Sequence, residues 1–436
     1  MSGRTDIIFA LSSGSLPSGV AVIRLSGAGS IDIAHQMSGS TPVARRAFLK
    51  SIRRRNGDLL DRGLVIVFPG PESFTGEDCV EFHSHGGKAV IAAILGELAT
   101  FERCRPAEAG EFTRRAFLNG KIDLTEAESL ADLISAETEM QRRIAVHGAK
   151  GETRALYDNW RLELIRIRAM LEADFDFSDE EDVPGSVSEG TIPAITALAR
   201  EIQQYLDFSG AAEIIREGFR VVLAGVPNAG KSSLLNALAK RDVAIVTEQA
   251  GTTRDVIDVA LDIRGYKVVL TDTAGIRESD DTVELIGIDR ARVAARSADM
   301  VLMLVPPSGE IPDLGASLDQ RILTVYTKAD LTSKENSGLH ISAHTGFGME
   351  NLVKRLGEEL ELLVGPSHPA TAIRERHRYL LLNCLTCLDR CIQVGLDMEL
   401  IAEELRSASD FLGRISGTVD VEDLLEVIFG EFCVGK

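Results

Sequence analysis

Three observations predict a multidomain fold: an α+β N-terminal domain, then an α-helical domain into which an α/β P-loop (G) domain is inserted. The run 225–233, Gly-Val-Pro-Asn-Ala-Gly-Lys-Ser-Ser, has the spacing of a phosphate-binding loop. The segments on both sides of residues 218–365 carry apolar residues at helical spacing. Residues 1–118 instead mix strand-like runs with short helices. A length of 436 residues accommodates two to four domains.

The N-terminal domain is predicted over residues 1–118. The runs 20–25 and 64–68 are rich in β-branched and other apolar residues, and the run 81–87 ends in two glycines, as a strand does before a turn. Residues 88–99 follow with the pattern of a helix. This mixture predicts an α+β unit.

Two helical segments, 119–217 and 366–436, are predicted to pack together as one domain, because each carries an apolar stripe that needs cover. Thr125 and Glu128 have the spacing of a capping box and predict a helix start. A second helix is predicted over 151–173.

Two features of these segments have a structural and a functional interpretation. The acidic stretch 174–184 could bind a metal ion, but a solvated connection is favoured. Cys384, Cys387 and Cys391 could suggest a cluster site. Their spacing on an apolar helix favours a core face.

The phosphate-binding loop has the context that its motif needs. Phe219–Ala224 has the pattern of a buried strand, and Ser233–Ala239 that of a helix. The glycines let the backbone fold around phosphates, and the free N–H groups at the helix start point at the negative charge. Lys231 is expected to reach the terminal phosphates, and the Ser232 hydroxyl to hold Mg²⁺.

Further segments in chain order predict a guanine nucleotide. Asp272 ends an apolar strand and can hold Mg²⁺ through water, and Gly275 can offer its N–H to a γ-phosphate. Asp330 can accept both N–H donors on the guanine edge, which adenine lacks, and the run 342–343 supplies a donor for the guanine O6. Position 327 is Thr, where GTPases usually carry Asn, which weakens the case for base specificity.

Composition limits the function classes. The net charge of −19 opposes general affinity for nucleic acid. No apolar run is long enough for a membrane span, the start of the chain lacks a signal-peptide pattern, and six scattered cysteines do not form a disulfide scaffold, so a cytoplasmic protein is expected. Local basic patches could contact RNA, although solvated surface charge is the favoured interpretation. These patches are Arg45, Arg46, Lys50, Arg53, Arg54, Arg55 and the run 374–378.

The chain resembles a known family, the MnmE (TrmE) tRNA-modification GTPases. The resemblance rests on the G domain, on Phe-Thr-Gly-Glu-Asp at 74–78, on Gly-Thr-Thr-Arg-Asp at 251–255, and on Phe-Cys-Val-Gly-Lys at 432–436. It covers essentially the whole chain. It implies a homodimer and a flavoprotein partner of the MnmG type, together a heterotetramer. The two proteins would install an aminomethyl or carboxymethylaminomethyl group on carbon 5 of the wobble uridine (U34) of certain tRNAs.

The resemblance also assigns a cofactor to the N-terminal domain, which is similar to folate-binding domains and would form the dimer. Arg24, Glu81, Lys121 and Lys436 would contact a 5-formyl- or methylene-tetrahydrofolate. Cys433 could act as a nucleophile or acid on the uridine, or could only pack.

Hydrolysis of GTP needs a group that orients water. Ile276 follows Gly275 where many small GTPases place Gln, and an apolar side chain cannot do this. The family pattern implies Glu284 as the catalytic group, with Glu278 as the weaker candidate.

The resemblance implies that K⁺ takes the place of an arginine finger and that dimerisation of two G domains orders the K⁺ loop. The implied Mg²⁺ ligands are Ser232 and Thr253, and the implied K⁺ ligands are Asn228, Thr247, Gln249 and Thr252. The predicted nucleotide-binding residues are Asn228, Ala229, Gly230, Lys231, Ser232, Ser233, Thr247, Glu248, Gln249, Ala250, Gly251, Thr252, Thr253, Asp272, Thr273, Ala274, Gly275, Thr327, Lys328, Asp330, Ser342 and Ala343.

The residues alone are compatible with two function classes. The first is a tRNA-modifying GTPase, and the second is a GTP-dependent assembly or regulatory switch without RNA chemistry. The implied folate contacts and the tail at 432–436 favour the first class.

Overall fold

The chain forms two compact units in the computed structural model. The structure describes residues 6–40, 42–177, 190–207, 209–241, 243–245, 258–272, 296, 298–312, 321–332, 338–365, 374–393, 397–419, 425, 428–430 and 432–435. Unit 1 comprises Met1–Ala131, Arg154–Glu163 and Ser409–Lys436, and unit 2 comprises Asp132–Thr153 and Leu164–Ala408. The two predicted helical segments thus contribute residues to both units. The domain bounds 1–118, 119–217, 218–365 and 366–436 remain predictions.

Unit 1 is built on a mixed sheet. Its strands are β1 (Ile7–Leu11), β2 (Ser18–Ser26), β3 (Phe48–Arg53), β4 (Leu59–Phe68), β5 (Cys79–Gly86) and β6 (Cys104–Pro106). Its helices are α1 (Ser30–Ser38), α2 (Lys88–Leu98), α3 (Glu111–Leu118) and the first part of α4 (Leu124–Ser135). In the described residues the sheet order is β3-β4-β5-β2-β1-β6. The ladder is antiparallel except for the parallel pair β1–β6.

The two faces of this sheet differ in what covers them. Alternate residues such as Ile23, Leu25 and Phe82 are fully buried in a core that also contains side chains of α1 and α2. On the opposite face Arg24 lies across from Glu81, and Leu64 lies across from His83. Side chains alternate between the faces of a strand, so the polar pair and the exposed leucine share the second face.

Unit 2 contains a doubly wound sheet. Its strands are β7 (Phe219–Ala224), β8 (Asp258–Ile263), β9 (Tyr266–Asp272), β10 (Met300–Val305), β11 (Arg321–Tyr326) and β12 (Leu339–His340). Its helices are α5 (Glu139–Ala149), α7 (Thr191–Asp207), α8 (Ser209–Glu217), α9 (Lys231–Ala239), α10 (Met349–Val364) and α11 (Glu375–Ile392), while α6 (Glu152–Phe177) and α12 (Met398–Ser416) contribute residues to both units.

The order of the described strands in this sheet is β12-β11-β10-β7-β9-β8, and only β8 is antiparallel to its neighbour. The strand β10 is buried along its whole length, as expected for a central parallel strand. Ligands of such sheets bind beyond the carboxyl ends of the parallel strands. This edge lies after Ala224 and Asp272.

Most of the predicted elements are confirmed, with altered ends. The predicted strand Phe219–Ala224 is β7, and the predicted helix 151–173 lies within α6. Cys384, Cys387 and Cys391 are buried on α11, as the core-face interpretation predicts. Among the described residues no His, Cys, Asp and Glu side chains are grouped to hold a metal ion. None of the described helices combines the length and apolar character needed to cross a bilayer.

The capping box predicted at Thr125 and Glu128 is wrong. The helix α4 begins at Leu124, so Asp123 precedes it. The Glu126 N–H donates to Asp123 Oδ1 at 2.7 Å, and the Asp123 N–H donates to Glu126 Oε2 at 2.8 Å. Asp123 and Glu126 have the same three-residue spacing as Thr125 and Glu128 and lie two positions earlier in the chain. Asp is as good an N-cap as Thr.

Candidate functional site

The phosphate-binding loop follows β7 and leads into α9. Gly225 is required by close packing, because a Cβ there would lie 2.9 Å from both the Ala229 Cβ and the Leu304 carbonyl oxygen. Asn228 and Gly230 have left-handed backbone angles, φ 64° and 100°. These angles turn the chain so that α9 starts at Lys231, where N–H groups of the first helical turn have no intrahelical acceptor. Such a helix start binds anions.

Lys231 lies across the loop that it follows. Its Nζ donates to the Gly225 carbonyl at 2.7 Å and to the Val226 carbonyl at 3.3 Å. Burial lowers the pKa of Lys231, while the charge of Asp272 acts in the opposite direction. An ammonium group that donates to two neutral carbonyls can exchange them for the charged oxygens of an anion in the loop.

Ser232 and Asp272 come together at the end of the sheet. The Ser232 hydroxyl donates to Asp272 Oδ2 at 2.9 Å. Asp272 is the last residue of β9 and lies opposite Leu223 of β7, which places it beside the loop. The carboxylate is buried, with 2% of the residue exposed. A hydroxyl and a carboxylate are oxygen ligands of the kind that Mg²⁺ takes, so the residues present fit this ion.

The predicted base-binding residues lie at the ends of β11 and β12. The Thr327 hydroxyl donates to the Ala229 carbonyl at 2.7 Å and so connects this segment to the phosphate-binding loop. The Ala329 N–H donates to the Ile341 carbonyl at 3.0 Å. A hydrogen bond from Ser342 lowers the pKa of Asp330, which is exposed to solvent. Asp330 is therefore ionised at neutral pH, as a guanine-binding carboxylate must be.

Several predicted site residues lie outside the described residues. They are Thr247, Glu248, Gln249, Ala250, Gly251, Thr252, Thr253, Thr273, Ala274, Gly275, Glu284 and Lys436, together with the alternative Glu278. Of the predicted K⁺ ligands the structure describes Asn228, which is exposed in the loop. Those predicted nucleotide-binding residues that the structure describes converge on one edge of the sheet.

In unit 1 the predicted folate residues Arg24 and Glu81 contact each other. The Nε and Nη2 atoms of Arg24 donate to Glu81 Oε1 at 3.1 and 2.9 Å. His83 Nε2 lies 3.1 Å from Glu81 Oε2. The Arg24 guanidinium also lies 5.8 Å from the ring centres of both Phe74 and Phe112. His83 and Phe112 were missed from the sequence, although two-residue spacing on a strand places His83 on the face of Glu81.

Lys121 lies beside the loop 74–78. A Cβ at Gly76, which has φ 78°, would meet the Lys121 Cγ at 3.3 Å, and the Asn119 side chain donates to the Thr75 carbonyl at 2.7 Å. The loop 74–78 and the segment that carries Lys121 are thus in direct contact.

The described part of the tail reaches the N-terminal sheet. Val434 forms an antiparallel bridge with Ala109, and the Ser12 hydroxyl donates to the Gly435 carbonyl at 2.8 Å. Ser12 follows β1, in which Ala10 lies opposite Arg24. Cys433 is exposed. The described tail residues Val434 and Gly435 therefore lie close to the strands that carry Arg24 and Glu81.

Comparison with known proteins agrees with these observations. The family model "MnmE helical domain" matches residues 124–433, and the model "GTP-binding protein TrmE N-terminus" matches residues 7–121. A tRNA modification GTPase MnmE of Rhizobium etli is 53% identical over 436 residues and covers 99% of each chain. The one of Brucella anthropi is 51% identical over 434 residues, 99% of this chain and 98% of its own.

The G domain of the T. maritima FeoB iron transporter is 24% identical over 33% of this chain with a TM-score of 0.25, a likeness too weak to bear on function. The two family models and the relatives confirm the predicted family and the predicted multidomain fold class. The chain belongs to the MnmE (TrmE) family of tRNA modification GTPases.

Proposed function

We propose that this chain hydrolyses GTP as one step in the modification of tRNA. The observation that carries the proposal is the likeness over 99% of the chain to tRNA modification GTPases. The nucleotide site supports it independently. Lys231, the oxygen pair Ser232–Asp272 and the ionised Asp330 occupy one edge of the sheet.

Each described residue has a role in this reaction. Lys231 exchanges the carbonyls of Gly225 and Val226 for phosphate oxygens and so neutralises their charge. Ser232 and Asp272 would hold Mg²⁺ together with Thr253, which lies outside the described residues, and the ion neutralises charge on the phosphates when it is bound. Asp330 accepts the guanine N–H groups. Thr327 keeps the loop and the base-binding segment in contact through the Ala229 carbonyl.

The finer hydrolytic roles follow the family pattern. Glu284 orients the attacking water, because the Ile276 side chain cannot. Asn228, Thr247, Gln249 and Thr252 hold K⁺ when two G domains dimerise across their nucleotides. The exposure of Asn228 in the loop supports this role, because its side chain is accessible to an ion.

The N-terminal sheet supports a tetrahydrofolate site and a homodimer. Arg24, Glu81 and Lys121 supply the charged and hydrogen-bonding groups that a pterin and its carboxylates need. Leu49 and Leu64 lie opposite each other on the exposed face and are 57% and 39% exposed. Exposed leucines that adjoin on one sheet face favour burial against a second copy.

The net charge of −19 argues that a partner supplies much of the tRNA affinity. With an MnmG-type flavoprotein, in a heterotetramer, the chain would add an aminomethyl or carboxymethylaminomethyl group to carbon 5 of U34. We propose the cytoplasm as its location.

Two measurements test the proposal. GTP hydrolysis is compared in KCl and NaCl at matched ionic strength, and faster turnover in KCl is expected. Nucleoside analysis of tRNA from a strain that lacks this chain is expected to reveal the loss of the U34 modification, restored by the intact gene. Hydrolysis with unchanged tRNA nucleosides would instead favour the second function class, a GTP-dependent switch.

A further inference from the structure

The start of α5 contacts the two segments that lead into the nucleotide site, and all of these residues belong to unit 2. The Gln141 side chain donates from Nε2 to the Arg216 carbonyl at 2.8 Å. The Met140 N–H donates to the Gly265 carbonyl at 3.0 Å, and Glu137 forms an ion pair with Lys267. Arg216 precedes β7, and Lys267 is the second residue of β9.

These contacts lie at the opposite end of the strands from the chemistry. In the parallel pair β7–β9, Phe219 lies opposite Val268 at one end, and Leu223 lies opposite Asp272 at the other. The distance along β9 from Lys267 to Asp272 is about 17 Å for an extended strand. The strand β7 runs into the phosphate-binding loop. Residues 137–141 therefore contact the end of α8, just before β7, and the start of β9. The other ends of these two strands lead to the phosphate-binding loop and to Asp272.

The hairpin β8–β9 connects its turn to Asp272 through a continuous ladder. Its two-residue turn has positive φ at Arg264 (57°) and Gly265 (85°), the angles of a tight hairpin turn. At the open end the Thr271 hydroxyl donates to Asp258 Oδ1 at 2.7 Å. The ladder continues without a break from Ile263–Tyr266 to Asp258–Thr271, so a movement of the turn moves the whole hairpin.

The contact also borders a partly open cavity. This cavity has a volume of about 230 Å³ and is lined by Ala136, Glu137 and Ile144 on one side and by Ile215, Arg216 and Lys267 on the other. Substitution of Glu137 or Lys267 at its wall therefore changes the contact without forcing a side chain into a filled core.

We propose that the segment 137–141, which leads into and begins α5, is a positioning element for GTP hydrolysis through Glu137 and Gln141. It sets the position of Asp272 relative to the phosphate-binding loop, and it couples movement of α5 to the nucleotide site. The inference rests on the proposed GTPase activity and adds positioning residues that the nucleotide motifs do not contain.

The test compares two ion pairs at the turn end of the hairpin β8–β9. Glu137→Gln, Lys267→Gln and the double variant remove the pair to α5. Arg264→Gln with Glu361→Gln removes a matched pair, 2.7 Å long, that connects the turn to α10 instead. The Michaelis parameters of GTP hydrolysis are measured in KCl, with the melting temperature of each variant.

We expect each single substitution at Glu137 or Lys267 to lower kcat about three- to tenfold, the range of measured coupling effects, with KM for GTP unchanged. The double variant loses no more than the worse single variant, because both remove one contact. The Arg264/Glu361 control changes kcat less than about twofold. Unchanged kcat in the folded Glu137 and Lys267 variants, additive losses, or an equal loss in the control would overturn the inference.

A further variant guards against a folding defect. Gln141→Glu keeps the oxygen that accepts the N–H groups of Glu137 and Thr138, at 2.9 and 3.1 Å, so the helix cap stays intact. It removes the donor to the Arg216 carbonyl, and the same kcat loss is expected in a protein that still unfolds in one cooperative thermal transition. Normal kcat in this variant would contradict the role of Gln141. A wild-type chain without GTP hydrolysis would overturn the proposed function itself, which is a different result.

Discussion

Thr327 tests how the loop and the base-binding segment are connected. The hydroxyl donates to the carbonyl of Ala229 at 2.7 Å, and Thr327 is 5% exposed while Ala229 is fully buried. Thr327→Val keeps the shape of the side chain and removes this donor from a buried carbonyl. Leaving a buried acceptor without its partner costs about 1–3 kcal/mol. In a unit of this size, that loss lowers the melting temperature by roughly 2–10 °C.

The same bond holds the loop in its binding conformation, so Thr327→Val should also weaken GTP binding, by about fivefold for about 1 kcal/mol. The matched control is Thr327→Ser, which keeps the hydroxyl and loses only a methyl group. Titration with GTP and a thermal melt are carried out on the wild type and both variants. If Thr327→Ser weakens GTP binding as much as Thr327→Val does, or if Thr327→Val binds GTP like the wild type, the hydroxyl does not have this role.

Four further predictions concern single groups. Asp330→Asn should weaken GTP binding and improve xanthosine nucleotide binding, and equal affinity of the wild type for ATP and GTP in titrations would contradict the guanine assignment. Glu284→Ala should slow hydrolysis by ~10²–10⁴-fold at nearly constant nucleotide affinity, and a normal rate would transfer the role to Glu278. Deletion of residues 432–436 should abolish tRNA modification while GTP turnover persists, and retained modification in a folded truncated protein would refute this. Native protein at pH 8 should be alkylated first at the exposed Cys433, because burial raises the pKa of the thiols of Cys104 and Cys387 to about 12 and so keeps them protonated; mass spectrometry that finds another cysteine labelled first would contradict this.

The sequence predicted best where one short segment determines both the structure and the chemistry. The loop 225–233 lies between a strand and a helix as predicted, because its glycines and the flanking apolar runs leave few other conformations. The meeting of Ser232 with Asp272 was also within reach, since parallel neighbouring strands place their carboxyl ends at one edge. The capping box was predicted at the wrong residues, because Asp123 and Thr125 are equivalent cap residues and local spacing does not choose between them.

Side-chain contacts that neither a motif nor the pairing of strands requires were beyond prediction. Thr138 and Gln141 do have capping-box spacing, and this signal could have located the start of α5. Nothing in that pattern indicates that Gln141 also reaches the Arg216 carbonyl, 75 positions away. Likewise, the sequence shows only that position 327 carries Thr in place of the Asn that is usual in GTPases. The structure gives it a partner, the Ala229 carbonyl, because β11 ends beside the phosphate-binding loop.

The pair Arg24–Glu81 changes what a ligand of the N-terminal site must do. The family pattern assigns both side chains to the ligand, yet Glu81 Oε1 already accepts two N–H groups of Arg24, and Oε2 faces His83. A carboxylate offers about four acceptor positions, so a pterin amine finds an open position mainly on Oε2. Glu81 can accept N–H groups of a pterin with both of its oxygens only if Arg24 leaves Oε1. Arg24 would then pair with a ligand carboxylate in place of Glu81. If the predicted tetrahydrofolate binds here, we therefore expect it to exchange ion partners with Arg24 and Glu81, whose strands β2 and β5 are already in register.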